Sequence, residues 1–122
     1  MEKKDKNILI IEDDDELLEF YISFIEMHFQ WNKIYSASSA EDAKHIIKVR
    51  ELAVVISDYK LPDLNGIELL KKLHDKYIQI PKYIFVTGFN SPKFRKEAMS
   101  LGAVTILSKP VGQNLIDALR SI

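Results

Sequence analysis

A chain of 122 residues with 47% hydrophobic and 29% charged side chains is typical of a single globular domain with one core. The formal net charge of −1 argues against a general nucleic-acid binder, and the lack of cysteine excludes disulfides and thiolate metal sites. The N-terminus has no apolar signal region, and no apolar stretch is long enough to span a bilayer. We therefore expect a cytoplasmic protein that makes no contact with membranes.

The first half of the chain alternates short apolar runs with longer amphipathic ones. "NILII" (Asn7–Ile11) predicts a buried strand, and Asp15–Phe29 has apolar residues at helical spacing. "KIYSA" predicts a weaker second strand. The stretch "SAEDAKHIIKV" predicts a helix, with Ser38 and Glu41 as its capping box. The apolar, β-branched run Leu52–Ser57 predicts a third strand.

The second half continues the same alternation. "GIELLKKLHDKY" predicts a helix, and Asp63 and Asn65 just before it are expected to cap it. Tyr83–Thr87 predicts the fourth strand, and Ser91 begins the helix "SPKFRKEAMSL" as its N-cap. Val104–Ser108 predicts the last strand, and "QNLIDALRSI" predicts the last helix.

The predicted elements form five βα repeats, with no internal sequence repeat, low-complexity tract or linker between them. Several strands are apolar on both faces, which is typical of a parallel sheet covered by helices on both sides. The fold class predicted is α/β: a doubly wound five-stranded parallel sheet of order 2-1-3-4-5, the flavodoxin-like (βα)5 architecture. One domain is expected to account for residues 1–122.

Polar side chains follow most of the predicted strands. Glu12 and Asp13 come after the first strand and Asp58 after the third, while Thr87 ends the fourth and Lys109 follows the fifth. In open parallel sheets, ligands bind beyond the carboxyl ends of the strands, near the point where the strand order reverses. Three carboxylates are therefore expected to converge there, flanked by a hydroxyl and an ammonium.

Converging carboxylates raise each other's pKa unless a cation lies between them. Carboxylate oxygens suit Mg²⁺, which keeps several waters and commonly shares its ligand shell with a phosphate. A carboxylate beside such an ion is a nucleophile toward phosphorus in some ATPases. Lys109 would offset the phosphoryl charge, and Thr87 would donate a hydrogen bond to the phosphoryl group. The three acids that follow Asp13, residues 14–16, are interpreted as residues at the start of the first helix, where the helix dipole favours negative charge.

Four segments, "ILIIEDD", "VVISDYKLPDLNGIELL", "IFVTG" and "ILSKP", resemble the receiver domain of bacterial response regulators, the CheY-like family. They occur in that family's order and spacing over essentially the whole chain. The resemblance implies a phosphoacceptor of two-component signal transduction, charged by a sensor histidine kinase or a phosphotransfer domain. It implies a protein that assists its own phosphorylation and dephosphorylation but is not a conventional enzyme. An output domain or a downstream protein would then be a further partner.

The resemblance assigns roles to individual positions. Asp58 matches the phosphorylated aspartate, and Glu12 and Asp13 match the acidic pair for Mg²⁺. Asp13 and Asp58 are the implied direct metal ligands, with the main-chain carbonyl of Lys60 as the third protein ligand. Lys60 and Phe89 match the positions that border the water able to remove the phosphoryl group. Neither side chain is a general base, which predicts a long-lived phosphorylated state.

Other positions belong to the predicted switch. Thr87 and Lys109 match the hydroxyl and the lysine that engage the phosphoryl group, and the Lys109–Pro110 bond matches one that is usually cis. The family usually has Tyr or Phe three residues before the lysine, as a side chain that swings inward on activation. This chain has Ile106 there, so an aliphatic side chain would fill that space. Val111 replaces an aromatic residue of many transcriptional relatives.

Two other functional classes fit the same fold. One is a Mg²⁺-dependent phosphatase with Asp58 as a transient nucleophile, but such enzymes carry a second acid where this chain has Lys60. The other is a non-phosphorylated interaction module, which would have no need of the complete set of site residues. The first helix is more apolar ("LLEFYISFI") than one buried face requires. Its exposed part is a predicted docking site for the phosphodonor helices; the alternative is that the helix packs only on the sheet.

Overall fold

The computed structural model describes every residue except Met1, Ile78 and Phe89. Within these residues, five strands alternate with five helices. In chain order these are β1 (Glu2–Ile11), α1 (Asp15–Glu26), β2 (Phe29–Ala37), α2 (Ala40–Val49), β3 (Val54–Ser57), α3 (Gly66–Lys76), β4 (Lys82–Thr87), α4 (Pro92–Ser100), β5 (Thr105–Ser108) and α5 (Gln113–Arg120). None of the helices in the described part of the chain has the length and apolar character that crossing a bilayer requires.

The sheet has the order β2-β1-β3-β4-β5, and every neighbouring pair is parallel, which confirms the predicted doubly wound fold. Successive strand residues face opposite sides, so the sheet separates two cores. Leu9 and Ile11 pack with residues of α2, α3 and α4. Ile8 and Ile10 pack with residues of α1 and α5 on the other face. The carboxyl ends of β1 and β3 lie side by side, because Ile11 pairs with Ser57.

The boundary between α1 and β2 differs from the prediction. The predicted helix over 15–29 ends at Glu26, and β2 already begins at Phe29. Phe29 and Trp31 are buried and Gln30 between them is exposed, which is the alternation of a strand rather than a helical turn. β1 is also longer than predicted, because its first residues pair with this extension of β2. The helical spacing of the apolar residues did not indicate that the second strand begins as early as Phe29.

The capping residue of α2 is Ser39 rather than the predicted Ser38. The Ser39 hydroxyl accepts a hydrogen bond from the N–H of Asp42 at 3.1 Å. The Ser38 hydroxyl instead lies 3.4 Å from the Asp42 carboxylate. Two adjacent serines both satisfy a capping pattern, and the backbone places the second one at the helix start. The other element boundaries in the second half of the chain lie within two residues of those predicted.

The two expected caps of α3 have different roles. Asn65 is the N-cap, because its side-chain oxygen accepts the N–H of Glu68 at 2.9 Å. The prediction for Asp63 is wrong: its carboxylate accepts hydrogen bonds from the N–H groups of Ala40 and Glu41, at the start of α2. This contact joins the β3–α3 loop to a helix that is distant in sequence.

Gly66, the first residue of α3, allows this helix to approach the end of β3 closely. Its N–H donates to the carbonyl of Tyr59 at 2.6 Å. A Cβ at position 66 would lie 2.6 Å from the ring of Phe85 and 2.8 Å from the carbonyl oxygen of Asp58. Because the second of these atoms belongs to the backbone, it has little freedom to move away. Glycine is therefore required for steric reasons and not for a left-handed backbone.

We expect Gly66→Ala to lower the free energy of unfolding by about 1–3 kcal/mol, the usual cost of overpacking. Urea denaturation measures the change. Gly88→Ala is the matched control, because a Cβ at Gly88 would meet no atom within 4 Å. Equal stability of the two variants would contradict the steric account of Gly66.

Candidate functional site

Asp58 lies immediately after β3, at the edge where the parallel strands end. Its Oδ2 accepts a hydrogen bond from the Nζ of Lys109 at 2.8 Å, and its Oδ1 accepts the N–H of Tyr59 at 2.7 Å. The hydroxyl of Ser57 donates to the Asp58 carbonyl at 2.8 Å. These contacts fix both the backbone and the carboxylate of Asp58, while 13% of the side chain stays accessible to an incoming group.

Glu12 is a buried carboxylate at the end of β1. Its Oε2 accepts the N–H of Asp14 at 3.1 Å. Its Oε1 lies 3.5 Å from the Nζ of Lys109 but has no hydrogen-bond donor among the described residues. Burial raises the pKa of Glu12 above its usual value, and the carboxylates of Asp13 and Asp58 raise it further. The N–H of Asp14 and the ammonium of Lys109 lower this pKa but do not offset burial.

Lys109, just after β5, places its ammonium between two carboxylates. Burial alone would lower the pKa of Lys109, but the hydrogen bond to Asp58 and the charges of Asp58 and Glu12 outweigh it and raise the pKa. The ammonium therefore stays protonated at neutral pH. It neutralises one of the converging carboxylate charges and leaves an excess of negative charge at the edge of the sheet.

Thr87 and Lys109 lie next to each other across two strands. Thr87 is buried at the end of β4, pairs with Ser108 of β5, and its carbonyl accepts the N–H of Lys109 at 3.1 Å. The peptide bond between Lys109 and Pro110 is cis, as predicted. Ile106 is buried on β5 opposite Phe85, inside the core and not at the site edge.

The remaining predicted residues lie around this centre. Asp13 is exposed and borders the Glu12 carboxylate, whose pKa it raises. Lys60 is exposed in the loop between β3 and α3. Phe89, predicted to shield the site, lies outside the described residues. The structure thus brings Glu12, Asp58 and Lys109 into direct contact.

The donor set at this edge is suited to a hard divalent cation. The buried Glu12 oxygen without a hydrogen-bond donor and the neighbouring carboxylates leave negative charge that a cation would neutralise. Among the described residues, no group of three or more acidic or histidine side chains is arranged to hold a metal ion by itself. Mg²⁺ is usually bound by one or two carboxylates, waters and substrate phosphate, so the residues present fit this ion.

Sequence reasoning did not identify Tyr21, which lies on α1 beside the site. Burial raises the pKa of Tyr21 to about 12, so its phenol is protonated at neutral pH. Tyr21 and Lys109 border an open groove of about 370 Å³ between α1 and the segment after β5. Its other lining residues are Leu17, Phe20, Pro110 and Val111. The available signal was the apolar excess of α1, which indicated a surface but not this residue.

Comparison with known proteins gives related sequences. A family model described as the response regulator receiver domain matches residues 8–120. The transcriptional regulatory protein CrdR of Helicobacter pylori is 27% identical over 113 residues, which cover 93% of this chain and 52% of CrdR. The phosphoglycerate transport system transcriptional regulatory protein PgtA of Salmonella typhimurium is 31% identical over 119 residues, covering 93% of this chain and 28% of PgtA. The chain thus spans about half, or less, of the length of these relatives.

Solved structures give the same result for the fold. The crystal structure of a CheY-like response regulator receiver domain protein from Methanospirillum hungatei has a TM-score of 0.85 at 28% identity, covering 97% of this chain and 93% of that one. The CheY-like receiver domain from Methylobacillus flagellatus has a TM-score of 0.80 at 30% identity, covering 97% and 98% of the two chains. With the family model matching nearly its whole length, this chain belongs to the response regulator receiver domain family.

Proposed function

We propose that residues 1–122 form a phosphoacceptor domain that receives a phosphoryl group on Asp58 in a Mg²⁺-dependent reaction. The donor is the phosphohistidine of a sensor histidine kinase or of a phosphotransfer domain. The observation that carries this proposal is the Asp58 carboxylate at the strand-end edge, 2.8 Å from the Lys109 ammonium and beside the buried Glu12. A nucleophile, a cation that offsets phosphoryl charge, and acids suited to a metal are thus in one place.

The reaction is a displacement at phosphorus. A carboxylate oxygen of Asp58 forms the new bond while the bond from phosphorus to the donor imidazole nitrogen breaks, and that nitrogen keeps the electron pair. The Tyr59 N–H donates to Oδ1 of Asp58 and so helps to hold the carboxylate in place. The Lys109 ammonium balances charge on the phosphoryl oxygens, and the Thr87 hydroxyl donates a hydrogen bond to one of them.

The proposed metal ligands are Asp13, Asp58 and the main-chain carbonyl of Lys60. Glu12, the other acid of the pair, is buried at the end of β1 and would add negative charge to this site. Mg²⁺, when bound, supplies charge neutralisation for the transferring group. The switch residues are Thr87 and Ile106, and the buried position of Ile106 means that any inward movement of Thr87 has to be accommodated by an aliphatic side chain.

The apolar groove bounded by Leu17, Phe20 and Val111 supports docking of the donor helices on α1. The Phe20 side chain is 49% exposed and stacks on Phe24, so α1 presents aromatic surface next to Lys109. CrdR and PgtA are named as transcriptional regulatory proteins and are longer than this chain. We therefore assign any nucleic-acid contact to an output domain or downstream protein, and not to this domain.

The two alternatives have no comparable support. A phosphatase would need an acid at position 60, where the chain has an exposed lysine. An interaction module that is never phosphorylated gives no reason for the contact between Asp58 and Lys109 or for a buried Glu12 with a raised pKa.

We expect the protein to gain one phosphoryl group from acetyl phosphate when Mg²⁺ is present and none when EDTA replaces it. Asp58→Asn should gain none under either condition, because the amide nitrogen and oxygen are much weaker nucleophiles than a carboxylate. Intact-mass measurement gives the answer. Phosphorylation of Asp58→Asn, with the label mapped to another residue, would refute the assignment.

The raised pKa of Glu12 gives a stability prediction for the metal-free protein. The folded state binds the Glu12 proton more tightly than the unfolded chain, so stability from this group is present below the unfolded pKa and is lost as pH rises through the folded pKa. Glu12→Gln removes this loss. The Tm of Glu12→Gln minus that of wild type should therefore increase from about pH 4, near the usual glutamate pKa, to neutral pH.

Glu16→Gln is the control for this measurement, because Glu16 is exposed at the start of α1. The increase toward neutral pH should be larger in Glu12→Gln than in Glu16→Gln, because the Glu12 carboxylate is buried and that of Glu16 is exposed. Thermal unfolding in EDTA over this pH range measures both differences. A Glu12→Gln difference that stays constant or decreases toward neutral pH would contradict the buried, destabilising charge.

The phosphorylated state should be long-lived, because the exposed Lys60 ammonium has no lone pair with which to accept a proton from an attacking water. Lys60→Asn introduces an acceptor and should speed the loss of the phosphoryl group. The decay of phosphorylated protein after removal of acetyl phosphate measures this rate. Unchanged or slower decay in Lys60→Asn would show that this side chain does not control the water.

A further inference from the structure

Asp63 links the loop between β3 and α3, residues 58–65, to α2. Its Oδ1 accepts the N–H of Ala40 at 2.9 Å and its Oδ2 accepts the N–H of Glu41, also at 2.9 Å. Oδ1 also accepts the N–H of Leu64 at 3.1 Å within its own loop. Both carboxylate oxygens are thus used, and two of the three bonds cross from the β3–α3 loop to another element.

These bonds are more than a local cap. The first turn of a helix has N–H groups without intrahelical partners, and Ser39 satisfies one of them, that of Asp42. Asp63 satisfies the two preceding N–H groups from a distance of more than twenty residues along the chain. Desolvation alone would raise the pKa of Asp63, but these N–H groups outweigh it and lower the pKa, so the carboxylate is ionised at neutral pH.

This loop begins at Asp58, the proposed phosphoacceptor. Asp58 is fixed by Lys109, and the Tyr59 carbonyl accepts the N–H of Gly66 at 2.6 Å, so the start and the end of the loop are joined. Lys60 lies in the part of the loop between these two hydrogen-bonded ends, and its side chain is exposed. The contact of Asp63 with α2 is a third anchor, on the far side of Lys60.

We propose that Asp63 is a positioning residue for the metal site: it ties the loop to α2 and so holds the segment that supplies the Lys60 main-chain carbonyl. The inference rests on the proposed function, in which that carbonyl is a metal ligand. A carbonyl has no side chain whose packing would orient it, so its position depends on how the backbone around it is held. Asp63 provides that restraint through two charge-assisted hydrogen bonds.

The test is calorimetric titration of Mg²⁺ into wild type, Asp63→Ala and Ser39→Ala. Both variants remove capping bonds from α2, but only Asp63→Ala releases the loop. Because residues that hold metal ligands in place typically contribute about 10–100-fold to metal affinity, we expect Asp63→Ala to bind Mg²⁺ roughly tenfold or more weakly. Ser39→Ala should bind Mg²⁺ as wild type does. Asp63→Asn keeps one acceptor oxygen and should lie between Asp63→Ala and wild type, and it serves if the alanine variant does not fold.

Two results would overturn the inference. Wild-type Mg²⁺ affinity in the Asp63 variants would show that the loop does not need the tether. Equal weakening in Asp63→Ala and Ser39→Ala would assign the effect to fraying of α2. Failure of the proposed function has a different signature, because wild type itself would then show no Mg²⁺ binding. Thermal unfolding without metal accompanies each titration and checks that both variants lose similar stability.

Discussion

The arrangement of the site depends on the Lys109 ammonium, which contacts the carboxylates of Asp58 and Glu12. The parallel sheet forces the ends of β1 and β3 together, and this places Glu12 near Asp58 whatever their charges. Lys109 lies 2.8 Å from one carboxylate and 3.5 Å from the other and offsets part of their repulsion. Burial raises the pKa of Glu12, and the Lys109 ammonium lowers this pKa without offsetting burial. A site with excess negative charge is suited to bind a cation.

The β3–α3 loop is held from two sides. Asp63 binds the start of α2, and the Tyr59 ring packs edge-on against Phe94 of α4 at a centroid distance of 4.8 Å. Phe94 packs in turn on Phe85 of β4 at 5.3 Å. The residues that follow Asp58 thus contact helices on both sides of α3. Tyr59 thus supplies an aromatic contact with α4, whereas Ile106 on β5 is aliphatic.

Much of the site followed from residue order, and the misjudged residues share one cause. Asp58 and Lys109 were predicted to meet because strand ends of a parallel sheet share an edge, which holds regardless of the detailed packing. Asp63 was misassigned because a capping rule uses only nearby residues, whereas its partners in α2 are far away in sequence. Phe29 was misassigned because its spacing also fits a helix, and its pairing with Glu2 at the start of β1 makes it a strand residue.

The sequence by itself determined the order of elements, the sheet topology and the residue types at the strand ends. Apolar periodicity and strand-end chemistry are local signals, and they carry this information without knowledge of the packing. Only the tertiary structure decided which of these groups touch: that Lys109 bonds to Asp58, that one Glu12 oxygen is buried without a donor among the described residues, and that Asp63 reaches α2. These contacts depend on distances between elements far apart in the chain, and those distances exist only once both faces of the sheet have been packed.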